Sequence, residues 1–293
     1  MAEIGSCQWS SLPSDLIHLI STKLPDLSDR ARMRAVCKAW HFSVSLLDPS
    51  PRLPWLVSWD MRGKEEILCY SLSSSKTHKI HCPQLRGAYL NGMAGRYILC
   101  CRLSRSISLF NPLTGIEIPL PYSEDGFALG VVSNPLHEDV VVVTGCTHYA
   151  NWVALIRPGD QTWARHYLNI NFEAEVCVYY GGFYYVNQYT RYKKITMEIL
   201  DATTGEVVTT VSSPDKGSHL ISYQNILETS GEILLIYRYK TTGILEDIAF
   251  DIYRLDQVRG NYQWVKVRDI GDRMLFLDRF GGFTLKATRV PWI

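Results

Sequence analysis

The sequence predicts a mainly β protein with a small α-helical module at its N-terminus, and three observations carry that reading. Helical periodicity is confined to the first fifty residues or so. Strand-like runs bounded by turn residues fill the remainder. A strand–turn–strand unit recurs about every 40 to 50 residues, the spacing of four-stranded propeller blades.

The helical pattern comes first along the chain. Leu12, Pro13, Leu16, Ile17, Ile20 and Leu24 are followed by Met33, Val36, Cys37, Trp40, Val44 and Leu47. Each set steps at i, i+3 or i+4, which stacks side chains on one helical face and predicts two helices. Pro13 suits a first helical turn, where a missing N–H costs nothing, and Ser28 before Asp29 reads as an N-cap. A helical pair of this size buries too little surface to stand alone, so part of its apolar face is expected to meet another protein or the rest of the chain. Pro49, Pro51 and Pro54 end the helical pattern, which puts a linker at 48–55 between a helical module, 8–48, and a β domain, 55–293.

Strands are expected at Ile67–Ser71, Tyr97–Arg102, Val140–Thr144, Val176–Tyr180, Phe183–Asn187, Ile233–Tyr237 and Phe250–Leu255. Gly181-Gly182 between two aromatic runs predicts a tight hairpin. The recurring unit is clearest around Asn111-Pro112-Leu113-Thr114-Gly115, Arg157-Pro158-Gly159-Asp160 and Asp201-Ala202-Thr203-Thr204-Gly205. Weaker copies lie at Cys69–Ser75 and at Asp251–Leu255, the latter with a longer turn before Trp264. Full blades are expected near 88–121, 128–168, 174–212 and 219–270, with partial ones at 55–81 and 274–287. Joined as one composite blade, the two fragments make a five-bladed ring with its edges hidden; a separate blade at 55–81 makes six, the last incomplete.

Thirty basic against 29 acidic residues leave a net charge of +1, so no strong field recruits nucleic acid or an anionic membrane. No run of 18 apolar residues exists and the N-terminus lacks a signal-like pattern, so a soluble protein of the cytoplasm, the nucleus or both is expected. The eight cysteines form no C-x-x-C pair and are expected to be reduced, mostly buried thiols. His78, His81 and Cys82 make a local trio without a fourth ligand, which favours solvated histidines at a strand edge over a metal site. No metal and no cofactor is expected.

Other residues read as scaffold. Arg30, Arg32 and Arg34 alternate along a helix start and are expected on a solvated surface. Trp163 and Trp264 follow turns at similar places in their units, as blade-packing aromatics do. The runs Tyr189–Lys194 and Tyr237–Lys240 interleave aromatic and basic residues, and loops joining strands within a blade explain them better than a nucleic-acid surface. Signatures of phosphate cradles, nucleophile elbows and zinc proteases are missing, so an enzyme, such as a propeller-fold hydrolase, is the weaker alternative.

The run Leu12-Pro13-Ser14-Asp15-Leu16-Ile17-His18-Leu19-Ile20, followed by Lys23-Leu24-Pro25-Asp26-Leu27-Ser28-Asp29-Arg30-Ala31-Arg32-Met33-Arg34-Ala35-Val36-Cys37-Lys38-Ala39-Trp40, resembles the F-box motif of plants. Downstream, Cys69–Ile80, Leu109–Gly115, Arg157–Trp163 and Gly231–Leu235 resemble the KIB-type plant F-box proteins, whose C-terminal domain is a kelch-related β-propeller. The resemblance implies a non-catalytic substrate receptor of an SCF-type cullin-RING ubiquitin ligase. The helices would bind a Skp-type adaptor, and through it cullin, while the propeller captures a protein for ubiquitination. Leu12, Pro13, Leu16, Ile17, Ile20, Leu24, Val36, Cys37 and Trp40 are the adaptor-binding residues it implies. Family members continue past the equivalent of Gly282-Phe283-Thr284-Leu285 with another strand pair, so an incomplete last blade is expected, and with it an alternative role as a non-degradative interaction protein or pseudo-receptor.

Overall fold

The structure is a computed structural model that describes residues 9–24, 27–45, 54–59, 65–72, 74–94, 97–104, 106–122, 128–131, 141–146, 151–157, 160–168, 176–188, 196–215, 221–240, 248–277 and 282–287. Cys7, Leu47, most of the 48–55 linker and the Tyr189–Lys194 run lie outside the described residues. The chain divides into two compact units. One gathers Met1–Asp60, Glu65–Pro83 and Thr288–Ile293; the other holds Met61–Lys64 and Gln84–Ala287.

In the first unit a short 3-10 turn, Trp9–Ser11, precedes α1 (Ser14–Lys23), α2 (Leu27–Arg34) and α3 (Lys38–Ser43). The single second helix expected from periodicity is therefore two. Ala35 and Val36 tighten into i→i−3 bonds to Arg32 and Met33, and Cys37 is extended at φ −161°. One straight helix would carry Val44 about 16 Å from Met33 along its axis. The break instead brings Ile17, Met33 and Val44 into one buried cluster. Ser28 lies inside α2 and not at its cap, and Pro13 sits one residue before α1, its carbonyl accepting from the N–H groups of Leu16 and Ile17.

Arg30 overturns the expected solvated surface. It is buried, with Nε donating to Ser21 O at 2.9 Å and Nη1 to Ser45 O at 3.3 Å. Arg34 Nη1 donates to Val44 O at 2.6 Å, and Arg32 alone of the three is exposed, paired with Asp29. These carbonyls belong to helix ends and the chain that follows them, and their acceptance of the guanidinium N–H groups is why the buried charge is tolerated.

The same unit holds an antiparallel three-stranded sheet of β1 (Trp55–Trp59), β2 (Glu66–Ser71) and β3 (Lys76–His81). Ile67, Cys69 and Ser71 are buried while Glu66, Leu68 and Tyr70 are exposed, the alternation of a half-buried strand. Burial, with the neighbouring Cys82, pushes the Cys69 thiol up to about 12. His78 stacks on Trp55 at 4.9 Å between ring centres, whereas His81 is exposed on β3.

The second unit holds four antiparallel four-stranded blades. Blade 1 is β4 (Ala88–Ala94), β5 (Tyr97–Arg102), β6 (Ile107–Phe110) and β7 (Glu117–Leu120). Blade 2 is β8 (Ala128–Val131), β9 (Val141–Cys146), β10 (Asn151–Ile156) and β11 (Ala164–Leu168). Blade 3 is β12 (Val176–Tyr180), β13 (Phe183–Gln188), β14 (Thr196–Asp201) and β15 (Val207–Ser212). Blade 4 is β16 (Ile221–Thr229), β17 (Glu232–Lys240), β18 (Ile248–Val258) and β19 (Asn261–Val267). A hairpin, β20 (Arg273–Leu277) with β21 (Gly282–Lys286), follows. Among the described residues, the fragments at the two ends of the β region form a three-stranded sheet and a two-stranded sheet with no strand pairing between them.

Why the middle strands read as unbroken apolar runs is visible in their packing, since blades 2, 3 and 4 each pack a neighbour on both faces. Trp152 and Ala154 of β10 face Leu99, Cys101, Ile107 and Leu109 of blade 1, while Val153 and Leu155 face Cys177, Tyr184, Val186 and Leu200 of blade 3. Blade 3 then turns Tyr185, Met197 and Ile199 to Ile226 and Ile233 of blade 4. Leu227, Leu234 and Ile236 close on Leu275 and Leu277 of the hairpin. Trp163 packs at the seam of blades 1 and 2 and donates from Nε1 to Pro121 O at 2.8 Å, and Trp264 packs within blade 4, the scaffold roles expected of both.

Turn chemistry explains the recurring unit, which joins the third and fourth strands of a blade. Asn111 and Asp201 each accept two following backbone N–H groups on Oδ1, while Gly115 and Gly205 close the turns at φ +71° and +75°. Blade 4 departs from the expected long turn: its strands run on to a two-residue Arg259-Gly260 connection with both residues at positive φ. Gly181-Gly182 makes the same kind of turn between β12 and β13. Tyr237–Lys240, expected as a loop, lies within β17.

Candidate functional site

The helical module carries two apolar stripes, one more than its own core uses. Positions Ile17 and Ser21 on α1 and Leu24 at its C-terminal cap step at i+4 and i+7 and face inward, with Ile17 and Ser21 fully buried. Leu16, Leu19 and Ile20 lie about 100° around the helix, and they are 47, 54 and 39 % exposed. Asp15 in the first turn and Lys23 in the last complement the helix dipole, so the ends of α1 are stabilised without occupying the outer stripe.

Arg30 is the pin that fixes this geometry. Ser21 O takes its Nε–H, Ser21 Oγ donates to His18 O at 2.7 Å, and Leu24 N–H also reaches Ser21 O. The end of α1, the start of α2 and the chain after α3 are thereby tied at one buried guanidinium. Trp40 Nε1 donates to Trp9 O at 3.1 Å, which ties α3 to the segment before α1.

The nine residues singled out from the sequence fall into two groups. Ile17 belongs to the module's buried core, and Leu12, Leu24 and Trp40 are partly buried against it. Cys37 is half-buried at the start of α3. Pro13, Leu16, Ile20 and Val36 are exposed, Val36 at 61 %. Leu19 and Phe42, both exposed, were not among the nine. Leu19 was legible, being three residues from Leu16, whereas Phe42 follows no i, i+4 partner on the outer stripe.

Such a surface can do one thing chemically: exclude water against a complementary apolar partner. Covering a half-exposed leucine or isoleucine contributes roughly 1 kcal/mol, about half the value for full burial. No group of three or more His, Cys, Asp or Glu able to hold a metal ion occurs among the described residues.

Comparison with known proteins gives this surface a context. The F-box domain profile matches residues 9–50 and the KIB1-4 beta-propeller profile matches residues 69–293. The probable F-box protein At4g22060 of Arabidopsis thaliana is 23 % identical over 97 % of this chain and 81 % of its own length. The F-box/kelch-repeat protein At1g64840 of the same plant is 26 % identical over 97 % of this chain and 80 % of its own length. The F-box protein SKIP23, also of Arabidopsis thaliana, is 24 % identical over 96 % and 81 %. A helical module with an uncovered apolar stripe, followed by blades that match over 69–293, places the chain among the F-box proteins that carry a KIB1-4 β-propeller.

Proposed function

We propose that the chain is a non-catalytic substrate receptor of an SCF-type cullin-RING ubiquitin ligase, acting in the cytoplasm or the nucleus. The outer stripe of α1, Leu16, Leu19 and Ile20, with Pro13 and Val36, docks a Skp-type adaptor, and the blades hold a target protein. Ile17, Leu12, Leu24 and Trp40 serve the same interface indirectly, by holding the helices that present it. The contribution to ubiquitination is proximity: a tethered target meets the charged ubiquitin carrier at an effective concentration that free diffusion does not reach. The observation that carries this reading is the exposed apolar stripe on a segment matched by the F-box profile.

Coexpression with a Skp-type adaptor tests it. Replacing Leu16 and Ile20 together by Asp should lower adaptor capture at least tenfold while the blades keep their thermal transition, because both side chains are exposed in the isolated chain. Full capture by the double variant refutes the assignment of the stripe. With the proteasome inhibited, the intact chain should accumulate ubiquitinated partners, and recovery of adaptor and cullin alone refutes the receptor role.

A further inference from the structure

Arg34 and His41 bridge the break that separates α2 from α3. Arg34 ends α2, His41 lies on α3, and the residues between them carry the tightened bonds and the extended Cys37 that turn the chain. Val36, one of the exposed residues assigned to adaptor docking, stands inside that span. One guanidinium closes it. Its Nη1 donates to Val44 O at 2.6 Å, and its Nη2 lies 2.9 Å from Nε2 of His41. Val44 is fully buried beside Ile17 and Met33, so the same side chain joins the end of α2 to the carbonyl of a core residue and to the ring of an exposed histidine.

That contact fixes the state of the ring. A guanidinium has five N–H donors and no acceptor, and it stays protonated in proteins. At 2.9 Å from it, Nε2 can only be the lone-pair nitrogen, which makes the imidazole neutral with its hydrogen on Nδ1. A proton on Nε2 replaces the acceptor by a donor and sets two cations against each other. Charges on the surrounding elements give no relief. On α3, Lys38 precedes His41 by three residues and is a further cation. On α2, Asp29 is bound to Arg32, and Arg30 is turned inward to Ser21 O and Ser45 O. On α1 stand His18, Lys23 and Asp15, the last accepting from Ser14. The turn before α1 and the described residues after α3 carry no charge, and among the described residues no carboxylate pairs with Arg34 or His41.

We infer that the Arg34–His41 pair is a proton-released clasp: with His41 neutral it holds α2 against α3 in the arrangement that docks the adaptor, and protonation of His41 opens it and weakens docking. The clasp deepens the receptor reading above, and its effect on docking rests on that reading. The open state binds one proton more than the closed one. Acidification through the range in which histidine side chains titrate, about pH 8 to 5, therefore favours opening.

Hydrogen exchange of the full chain, resolved at single amides, tests the clasp directly. The Val44 N–H caps α3 through Trp40 O, whereas the Leu24 N–H caps α1 through Ser21 O, away from Arg34. The ratio of the two rates cancels the intrinsic effect of pH on exchange. From about pH 7.5 to about 5.5 that ratio, Val44 over Leu24, should rise at least threefold in the intact chain. It should stay constant in His41→Gln, whose amide oxygen accepts from Arg34 and takes no proton. His41→Lys, with a fixed charge, should show the raised ratio already at the higher pH. Adaptor capture is followed on the same preparations. Its loss on acidification should be at least threefold greater for the intact chain than for His41→Gln, a comparison that cancels titration of the adaptor and of His18. A ratio indifferent to pH, or the same response in the glutamine variant, overturns the clasp. A responsive ratio with equal loss of capture overturns its link to docking. No capture by the intact chain at the higher pH sinks the receptor reading instead, and the exchange ratio still decides the clasp.

Discussion

Asn111 and Asp201 occupy one turn position in the first and third blades, and a single change of atom gives the two turns different acid sensitivity. Leu113 and Thr114 donate to the amide oxygen of Asn111 at 3.0 and 3.3 Å, and Thr203 and Thr204 donate to the carboxylate of Asp201 at 2.8 and 2.9 Å. Bonds to a charged acceptor are shorter and stronger. The N–H groups of Thr204 and Thr203 therefore hold the Asp201 carboxyl below its ordinary value. A lowered carboxylate pKa stabilises fully above the unfolded value, near 4, and the contribution is lost as pH falls through the lowered one. Between pH 5 and 2, hydrogen exchange at Thr203 and Thr204 should accelerate relative to Leu113 and Thr114 in the same sample. Asp201→Asn should level the two turns; an unchanged ratio in the intact chain would show that the carboxylate charge is irrelevant. This much was readable in advance, because the N-x-x-x-G and D-x-x-x-G spacing is local chemistry. The burial of Arg30 was not, since its acceptors Ser21 and Ser45 lie 9 and 15 residues away.

Hairpins and helices differ in how far their own residues specify them. The β20–β21 hairpin is held to blade 4 by Arg273 Nη1 to Glu232 Oε2 at 2.7 Å, within a cluster in which Glu232 also meets Arg254. Phe276 and Phe283 stack at 5.2 Å across it, and a Thr229–Thr284 hydroxyl bond joins β16 to β21. Gly282 begins β21 opposite Leu277, where an added Cβ would stand 2.6 Å from Phe276 O. That atom is backbone and cannot rotate away. Gly282→Ala should destabilise the hairpin by about 1–3 kcal/mol, the usual cost of overpacking. Limited proteolysis should then cut at 273–287 several-fold faster, with the earlier blades unaffected; an unchanged digestion rate refutes the clash. Helix α1 shows the opposite relation to sequence. Its apolar residues were plain, but a single wide face was read where the structure splits them into an inner and an outer stripe.

At the scale of the whole chain, the second unit is a succession of nearest-neighbour contacts running from blade 1 through blades 2 and 3 to blade 4 and the hairpin, and blades 2 and 3 each lend one face to the blade before and one to the blade after. Stability in such an array is approximately a sum of blade and interface contributions. Six cysteines among the described residues are free thiols and report on it. Cys69, Cys82, Cys100, Cys101 and Cys177 are buried, while Cys37 is half-buried in the helical module. Burial raises the thiols of Cys69, Cys82 and Cys177, which also slows their reaction. Alkylation mapped by mass spectrometry at pH 8 should label Cys37 first, at least tenfold ahead of these five. Trp163→Ala, which empties the seam of blades 1 and 2, should speed labelling of Cys100, Cys101 and Cys177 together. Acceleration at Cys100 and Cys101 alone would mean that the blades open independently.

Blade boundaries, turn positions and the identity of the strands were decided by the sequence itself, since periodicity and turn chemistry act over a few residues. The four complete blades fall within a few residues of where repetition put them. Tertiary contact alone decided the rest. It broke the second helix at Cys37 to bury Val44 beside Ile17, drew Arg30 inside to satisfy distant carbonyls, and left Leu16, Leu19 and Ile20 outside. It also left blade 4 longer than the hairpin that covers it. Local pattern states which residues are apolar; only the packing of elements distant in sequence states which of them remain uncovered, and those are the ones available to bind.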